Sequence, residues 1–141
     1  MSVDTVINQM RANGHRMTKA RLGVLSLFSA RGCGPLSAHE VYRLLAKRGI
    51  SMNEVTAYRE LEVLEQWGIL RRVPLRDGVQ RYEAADLPHH HHLVCTDCHR
   101  VSEVHMPHDL SAAERSIAER SGFRVSHHAL DFYGTCSRCL S

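Results

Sequence analysis

The sequence predicts an α+β chain of two small units, with helices and a hairpin in the first and strands around a cysteine cluster in the second. Three observations carry this. Apolar residues recur at helical spacing as far as Trp67 and then alternate, charge and histidine divide the chain near residue 85, and four of the 5 cysteines form two Cys-x-x-Cys pairs. With 43% hydrophobic and 23% charged residues in 141, the composition is that of a globular protein rather than a disordered or fibrous one. Residues 1–85 hold 13 Lys and Arg against 8 Asp and Glu, whereas residues 86–141 hold 5 against 7. The first part therefore suits a polyanionic partner. Of the 11 histidines only His15 and His39 lie in it; four of the rest are consecutive, His89–His92, and internal, so they are no terminal tag.

Element by element, Thr5–Asn13 reads as a short helix ended by Gly14. A second helix opens at Thr18-x-x-Arg21 and carries Leu22, Leu25, Leu27 and Phe28. Ser37 with Glu40 forms a capping box ahead of Val41, Tyr42, Leu44 and Leu45, and Gly49 closes that helix. Asn53 caps a further helix that carries Val55, Leu61, Val63, Leu64 and Trp67 and stops at Gly68. Ile69–Pro74 and Val79–Glu83 then read as two strands joined through Arg76-Asp77-Gly78. Helices followed by a hairpin in this order describe a winged helix-turn-helix, whose last helix would lie in a DNA major groove. That helix offers Thr56, Tyr58, Arg59 and Glu62, and the wing offers Arg71, Arg72, Arg76 and Arg81. The arginines would meet phosphates, while Tyr58 is better suited to reading bases.

The longest uncharged apolar stretch, Leu22–Ala30, is far short of the roughly 20 residues that span a bilayer. Met1–Asn8 contains Asp4 and lacks a basic region followed by an apolar one, so no secretory signal is expected. The expectation is a cytoplasmic protein with no membrane partner.

In the second part, Cys95-x-x-Cys98 and Cys136-x-x-Cys139 supply four thiolates at the spacing of a tetrahedral structural zinc site. Zinc there would staple a unit with little core of its own. Cys33, in Arg-Gly-Cys-Gly, stands apart as an incidental thiol. If His89–Leu93 is extended, side chains alternate: His90 and His92 point one way, His89 and His91 the other. Glu83 and Glu103 are the carboxylates available to the first pair, and two nitrogens with two oxygens suit Fe2+, Mn2+ or Zn2+. The second pair has His128 or His127 within a strand expected over Phe123–Tyr133, with Asp109 or His108 as further donors. His15, His99 and His105 are read as ordinary surface or core histidines.

Several motifs together resemble the ferric uptake regulator family: Gly14-His-Arg-Met-Thr-Lys-Ala-Arg21, Ser37-Ala-His-Glu-Val-Tyr42, Asn53-Glu-Val-Thr-Ala-Tyr-Arg59, His89-His-His-His-Leu-Val-Cys-Thr-Asp-Cys98 and Tyr133-Gly-Thr-Cys-Ser-Arg-Cys139. The resemblance implies a homodimer whose chains each hold a winged-helix domain (1–84), a hinge (85–88) and a small α/β metal-binding dimerisation domain (89–141). It implies a repressor of metal homeostasis that binds palindromic double-stranded DNA when the hinge metal is present. Carried over to this chain, Arg16, Lys19, Arg21, Thr56, Tyr58, Arg59 and Arg76 would meet DNA. Cys95, Cys98, Cys136 and Cys139 would hold zinc, Glu83, His90, His92 and Glu103 the regulatory metal, and His89, His91 and His128 a second site. Three positions depart from the family pattern: Pro35 stands where a histidine ligand is common, with His39 nearby; Ser111 stands where a carboxylate usually completes the second site; and Ala84 stands where the zinc-uptake branch often has cysteine. A peroxide-sensing repressor is a variant within the family, and metal storage is the reading from another class. An enzyme is not expected, because a zinc hydrolase would need a substrate cleft that no set of loops here supplies.

Overall fold

The computed structural model describes residues 2–30, 34–108 and 110–141; Cys33 and Asp109 lie outside the described residues. The chain divides into two compact units, Met1–Pro88 and His89–Ser141. The first contains helices α1 (Val3–Ala12), α2 (Lys19–Ser29), α3 (Ala38–Lys47) and α4 (Glu54–Gln66), with strands β1 (Leu36–Ser37), β2 (Leu70–Val73) and β3 (Arg81–Ala84).

The helix starts lie where the capping residues put them. Thr18 Oγ1 accepts the Arg21 N–H at 3.1 Å, and Asn53 Oδ1 accepts the Thr56 N–H at 2.7 Å. Ser37 Oγ accepts the Glu40 N–H at 3.2 Å while Glu40 Oε2 accepts the Ser37 N–H at 2.8 Å, the reciprocal capping box. Each cap satisfies backbone donors that a first helical turn leaves unpaired, worth about 1 kcal/mol apiece. At the far end of α4, Gly68 takes φ +69°, which lets the Ile69 N–H turn back to the Leu64 carbonyl at 2.9 Å. Gly23 serves a different purpose: a Cβ there would lie 2.8 Å from Ile50 Cδ1 and 3.0 Å from Leu45 Cδ2, so its bare backbone lets α2 and α3 approach closely.

Met10, Val24, Leu25, Val41, Leu45, Ala57, Leu61, Leu64 and Tyr82 are all but fully enclosed and form the core between the helices and the sheet. Each larger side chain among them contributes about 1.5–3 kcal/mol through burial. The sheet order is β1-β3-β2, all antiparallel, with Val73 opposite Arg81 and Leu70 opposite Ala84. Val79 and Gln80 stay outside the ladder, because Asp77 Oδ1 accepts the Val79 N–H at 3.1 Å and holds the turn open.

The second unit holds strands β4 (His91–Cys95), β5 (Val101–Val104) and β6 (Asp131–Gly134) and helix α5 (Ser111–Ser121). Its sheet order is β5-β4-β6, with β4 antiparallel to β5 and parallel to β6. The expected strand over Phe123–Tyr133 contracts to β6, since only Asp131–Gly134 finds a partner on β4. Among the described residues the buried apolar side chains of this unit are Val94 and Cys95. Such a core is too small to hold three strands and a helix by burial alone. No helix among the described residues is long and apolar enough to cross a membrane.

Candidate metal centres and nucleic-acid interface

Strand β4 is the organising element of the second unit. It ends at Cys95, and the Thr96–His99 turn, in which His99 adopts φ +61°, returns Cys98 to the same end of the sheet. Beside it, the Thr96 N–H donates to the Gly134 carbonyl at 2.8 Å, so the end of β6 delivers Cys136 and Cys139 to that place. One sulfur from each of the four cysteines lies within 4.8 Å of the others. Cys98 Sγ is 3.8 Å from Cys136 Sγ, and Cys136 Sγ is 3.6 Å from Cys139 Sγ. Disulfide sulfurs sit about 2.05 Å apart. Thiolates on one tetrahedral zinc, at about 2.3 Å from the metal, sit about 3.8 Å apart. The cluster therefore has the dimensions of a metal site rather than of disulfides.

Its electrostatics agree. Backbone N–H groups of Cys98 and Cys136 aimed at Cys95 bring its thiol down to about 6, and the Cys136 N–H lies 3.3 Å from that sulfur. Cys139 is pushed up to about 12, because hydrogen bonds shared with the Cys136 and Cys98 sulfurs hold its proton. A divalent cation binds thiolates and would displace the protons that the sulfurs share.

The alternation expected for the histidine run holds. His90 and His92 share one side, with ring centroids 4.8 Å apart and Nε2 atoms 3.1 Å apart. His89 and His91 share the other, and His128 joins them, with centroid separations of 4.8, 4.8 and 5.5 Å. One nitrogen from each of these three lies within 4.8 Å of the others. The partners on the outer nitrogens were not legible in the sequence. His91 Nδ1 bonds the Leu130 carbonyl at 3.1 Å, His92 Nδ1 bonds Asp131 Oδ1 at 3.1 Å, and His128 Nδ1 bonds Glu114 Oε1 at 2.7 Å. A carbonyl or carboxylate can only accept, so each Nδ1 is the donor and each Nε2 is the nitrogen left for an inner ligand. His128 Nε2 is buried and makes no hydrogen bond among the described residues. Desolvation first, then the neighbouring His91 and His128, lowers the His89 pKa and favours the neutral ring a metal needs.

Glu83, on β3 of the first unit, is buried, and its Oε1 accepts from Arg71 Nε at 2.7 Å. Glu103 stands opposite His92 across the β4 and β5 ladder. His105, read as an ordinary surface residue, has its ring 6.3 Å from that of His90. His15 meets Trp67 edge-on at 4.6 Å, as a core-edge histidine does, and His39 lies exposed beside Glu54 at 3.2 Å.

On the first unit, α4 turns Ala57, Leu61 and Leu64 into the core and leaves Val55, Tyr58 and Arg59 outside, with Tyr58 39% exposed. Arg16, Lys19 and Arg76 are exposed and Thr56 is half-buried. Two arginines depart from the sequence expectation. Arg21 is tied to Glu60 by bonds of 2.7 and 3.2 Å and to the Arg16 carbonyl at 3.0 Å, so its guanidinium braces α2 against α4 instead of facing a phosphate. Arg81 is 1% exposed and held by Asp77 at 2.6 Å, because β3 is the central strand and buries all four of its residues. Of the other wing arginines, Arg71 pairs with Glu83 and Arg72 with Glu65.

The model of the Ferric uptake regulator family matches residues 12–133. The Ferric uptake regulation protein of Neisseria meningitidis serogroup A is 41% identical over 133 residues, covering 94% of this chain and 92% of that protein. Among solved structures, the ferric uptake regulator of Vibrio cholerae superposes with a TM-score of 0.76 at 29% identity, over 92% of this chain and 98% of that one. The ferric uptake regulator of Francisella tularensis, solved with iron, gives 0.74 at 29% identity over 91% and 96%.

Proposed function

Because the chain belongs to the ferric uptake regulator family, we propose that it is a metal-dependent repressor that binds palindromic operators in double-stranded DNA as a homodimer. The observation that carries the DNA reading is the division of α4, with one face locked into the core and Tyr58 and Arg59 on the other. A capped helix held this firmly can enter a major groove as a rigid reader, Tyr58 contacting bases and Arg59, Thr56, Arg16, Lys19 and Arg76 contacting phosphates or base edges. In this reading Arg21 acts through Glu60 by fixing the angle of that helix.

The four cysteines would hold structural Zn2+, which their sulfur separations fit. Glu83, His90, His92 and Glu103 would hold the regulatory divalent ion, Fe2+, Mn2+ or Zn2+, and restrict the 85–88 hinge. His89, His91 and His128 would hold a further ion. Protonated Nδ1 atoms on His91, His92 and His128 support the two histidine readings, since each ring is oriented for an inner ligand. An ordered hinge lowers the cost of presenting two recognition helices at the half-site spacing, roughly 34–36 Å or a related value. Metal and DNA then raise each other's affinity by the same factor.

The test is a gel-shift titration of the purified protein on fragments from its own upstream region, with each candidate ion and with chelator. Tight binding only with metal is expected. Equal affinity in both conditions would refute metal control, and the absence of any specific shift would refute the DNA reading.

A further inference from the structure

The His89, His91 and His128 cluster has a feature of its own. The position where the resemblance expects a carboxylate holds Ser111, at the first residue of α5. Among the described residues, a carboxylate reaches the cluster from Glu114, three residues along that helix, and it touches His128 Nδ1 at 2.7 Å. Nδ1 is the outer nitrogen; the inner one, Nε2, is buried and makes no hydrogen bond among the described residues. Both groups are largely enclosed, with 22% and 30% of their side chains exposed, so the contact is no surface encounter.

Resting on the reading of these three histidines as metal ligands, we propose that the described residues form an all-imidazole site in which Glu114 is a positioning residue: it orients the His128 ring from outside and is not itself an inner ligand. Two consequences follow from the donor set. Three neutral imidazoles favour the later first-row ions, Co2+, Ni2+ and Zn2+, over Mn2+, whose preference is for oxygen. A charged acceptor on Nδ1 also raises the basicity of Nε2, so Glu114 strengthens the metal bond without making one. The Leu130 carbonyl does the same for His91 with a neutral acceptor.

The experiment uses the full chain carrying His92→Ala, which disables the proposed regulatory site, and Co2+ as the probe, because thiolate charge-transfer bands then report the cysteine site and weaker d–d bands the remaining nitrogen site. The variants are Glu114→Ala, Glu114→Gln and His128→Ala. His128→Ala should abolish the nitrogen-site signal and leave the thiolate bands unchanged, the latter serving as the folding control. Glu114→Ala should weaken Co2+ binding at the nitrogen site by about 10- to 100-fold. Glu114→Gln keeps an acceptor for the Nδ1 proton and should recover part of that loss. Mn2+ should compete poorly.

Equal losses in Glu114→Ala and Glu114→Gln would show that an acceptor on Nδ1 contributes nothing by positioning the ring, and would overturn the proposal. An unchanged affinity in Glu114→Ala alongside loss of the site in His128→Ala would overturn it while leaving the metal reading intact. Retention of the nitrogen-site signal in His128→Ala would overturn both. Should Glu114→Ala lose the thiolate bands, the isosteric Glu114→Gln decides alone: affinity equal to the parent protein's would refute a role for the charge.

Discussion

Replacing Asp77 by alanine is expected to cost the first unit about 3–5 kcal/mol, the range for breaking one side of a buried ion pair. The number follows from three features. The Arg81 side chain is 2% exposed and that of Asp77 9%, and their contact is 2.6 Å, so little solvent is available to screen the guanidinium once its carboxylate is gone. The same carboxylate accepts the Val79 N–H at 3.1 Å, and losing that bond adds about 1 kcal/mol. A domain of this size has roughly 5–15 kcal/mol in all, so the variant should lie close to its unfolding threshold. Trp67, the single tryptophan, sits at the end of α4 and reports this unit selectively. In urea, with a slope of about 1–3 kcal/mol per molar, its fluorescence midpoint should fall by about 2 M. Combining Asp77→Ala with Arg81→Met removes both charges and should restore most of the loss, since a well-packed apolar replacement of a buried pair is often neutral. A midpoint in Asp77→Ala within 0.3 M or so of the parent's would refute the claim that this pair supports the wing.

Three further outcomes are expected. Tyr58→Ala and Arg59→Ala should each weaken operator binding by about 10- to 100-fold in a gel shift while leaving the urea midpoint unchanged, because both side chains lie outside the core. Cys136→Ser, or prolonged treatment with a strong zinc chelator, should abolish the cooperative unfolding of the 89–141 unit in calorimetry while the Trp67 transition persists; survival of both transitions would count against a structural metal. The His89 pKa lies below its ordinary 6.5, so between the two values the unfolded chain binds the proton more strongly than the folded one. Its contribution to stability is therefore complete above about 6.5 and declines as pH falls through the folded value. In metal-free protein, thermal melts from pH 7 to 5 should show this decline, and His89→Ala should flatten it.

How legible the molecule was depended on the range of the interactions involved. The caps at Thr18, Ser37 and Asn53 are contacts over three residues, and pattern alone locates them. The alternation of His89–His92 is equally local. Helix α5 went unread because its N-cap position is Leu110, with no side-chain cap, and none of its residues is buried. A helix of that kind leaves no apolar stripe in the sequence. The acceptors on the histidine rings lie 14 and 39 residues away: the parallel register of His92 with Asp131 brings the Leu130 and Asp131 groups alongside, and α5 carries Glu114 to His128. Arg21 and Arg81 were misjudged for a related reason: composition counts charges, but a guanidinium facing solvent and one enclosed by a carboxylate read identically.

Strand β4 also decides which sequence changes this protein can survive. Two outward-opposed histidine pairs and Cys95 are set along one run of seven residues, 89–95, at fixed phase. Adding or deleting a single residue within it would put the residues on its two sides out of phase with each other, so that no placement of the strand keeps all three clusters together. The stretch 122–130 forms no ladder, and a change of length there moves no ligand but His128. Among natural variants of this chain, length differences should therefore gather in 122–126 and be missing from 89–95, whereas substitutions that keep the count and spare the histidines and Cys95 should occur in both.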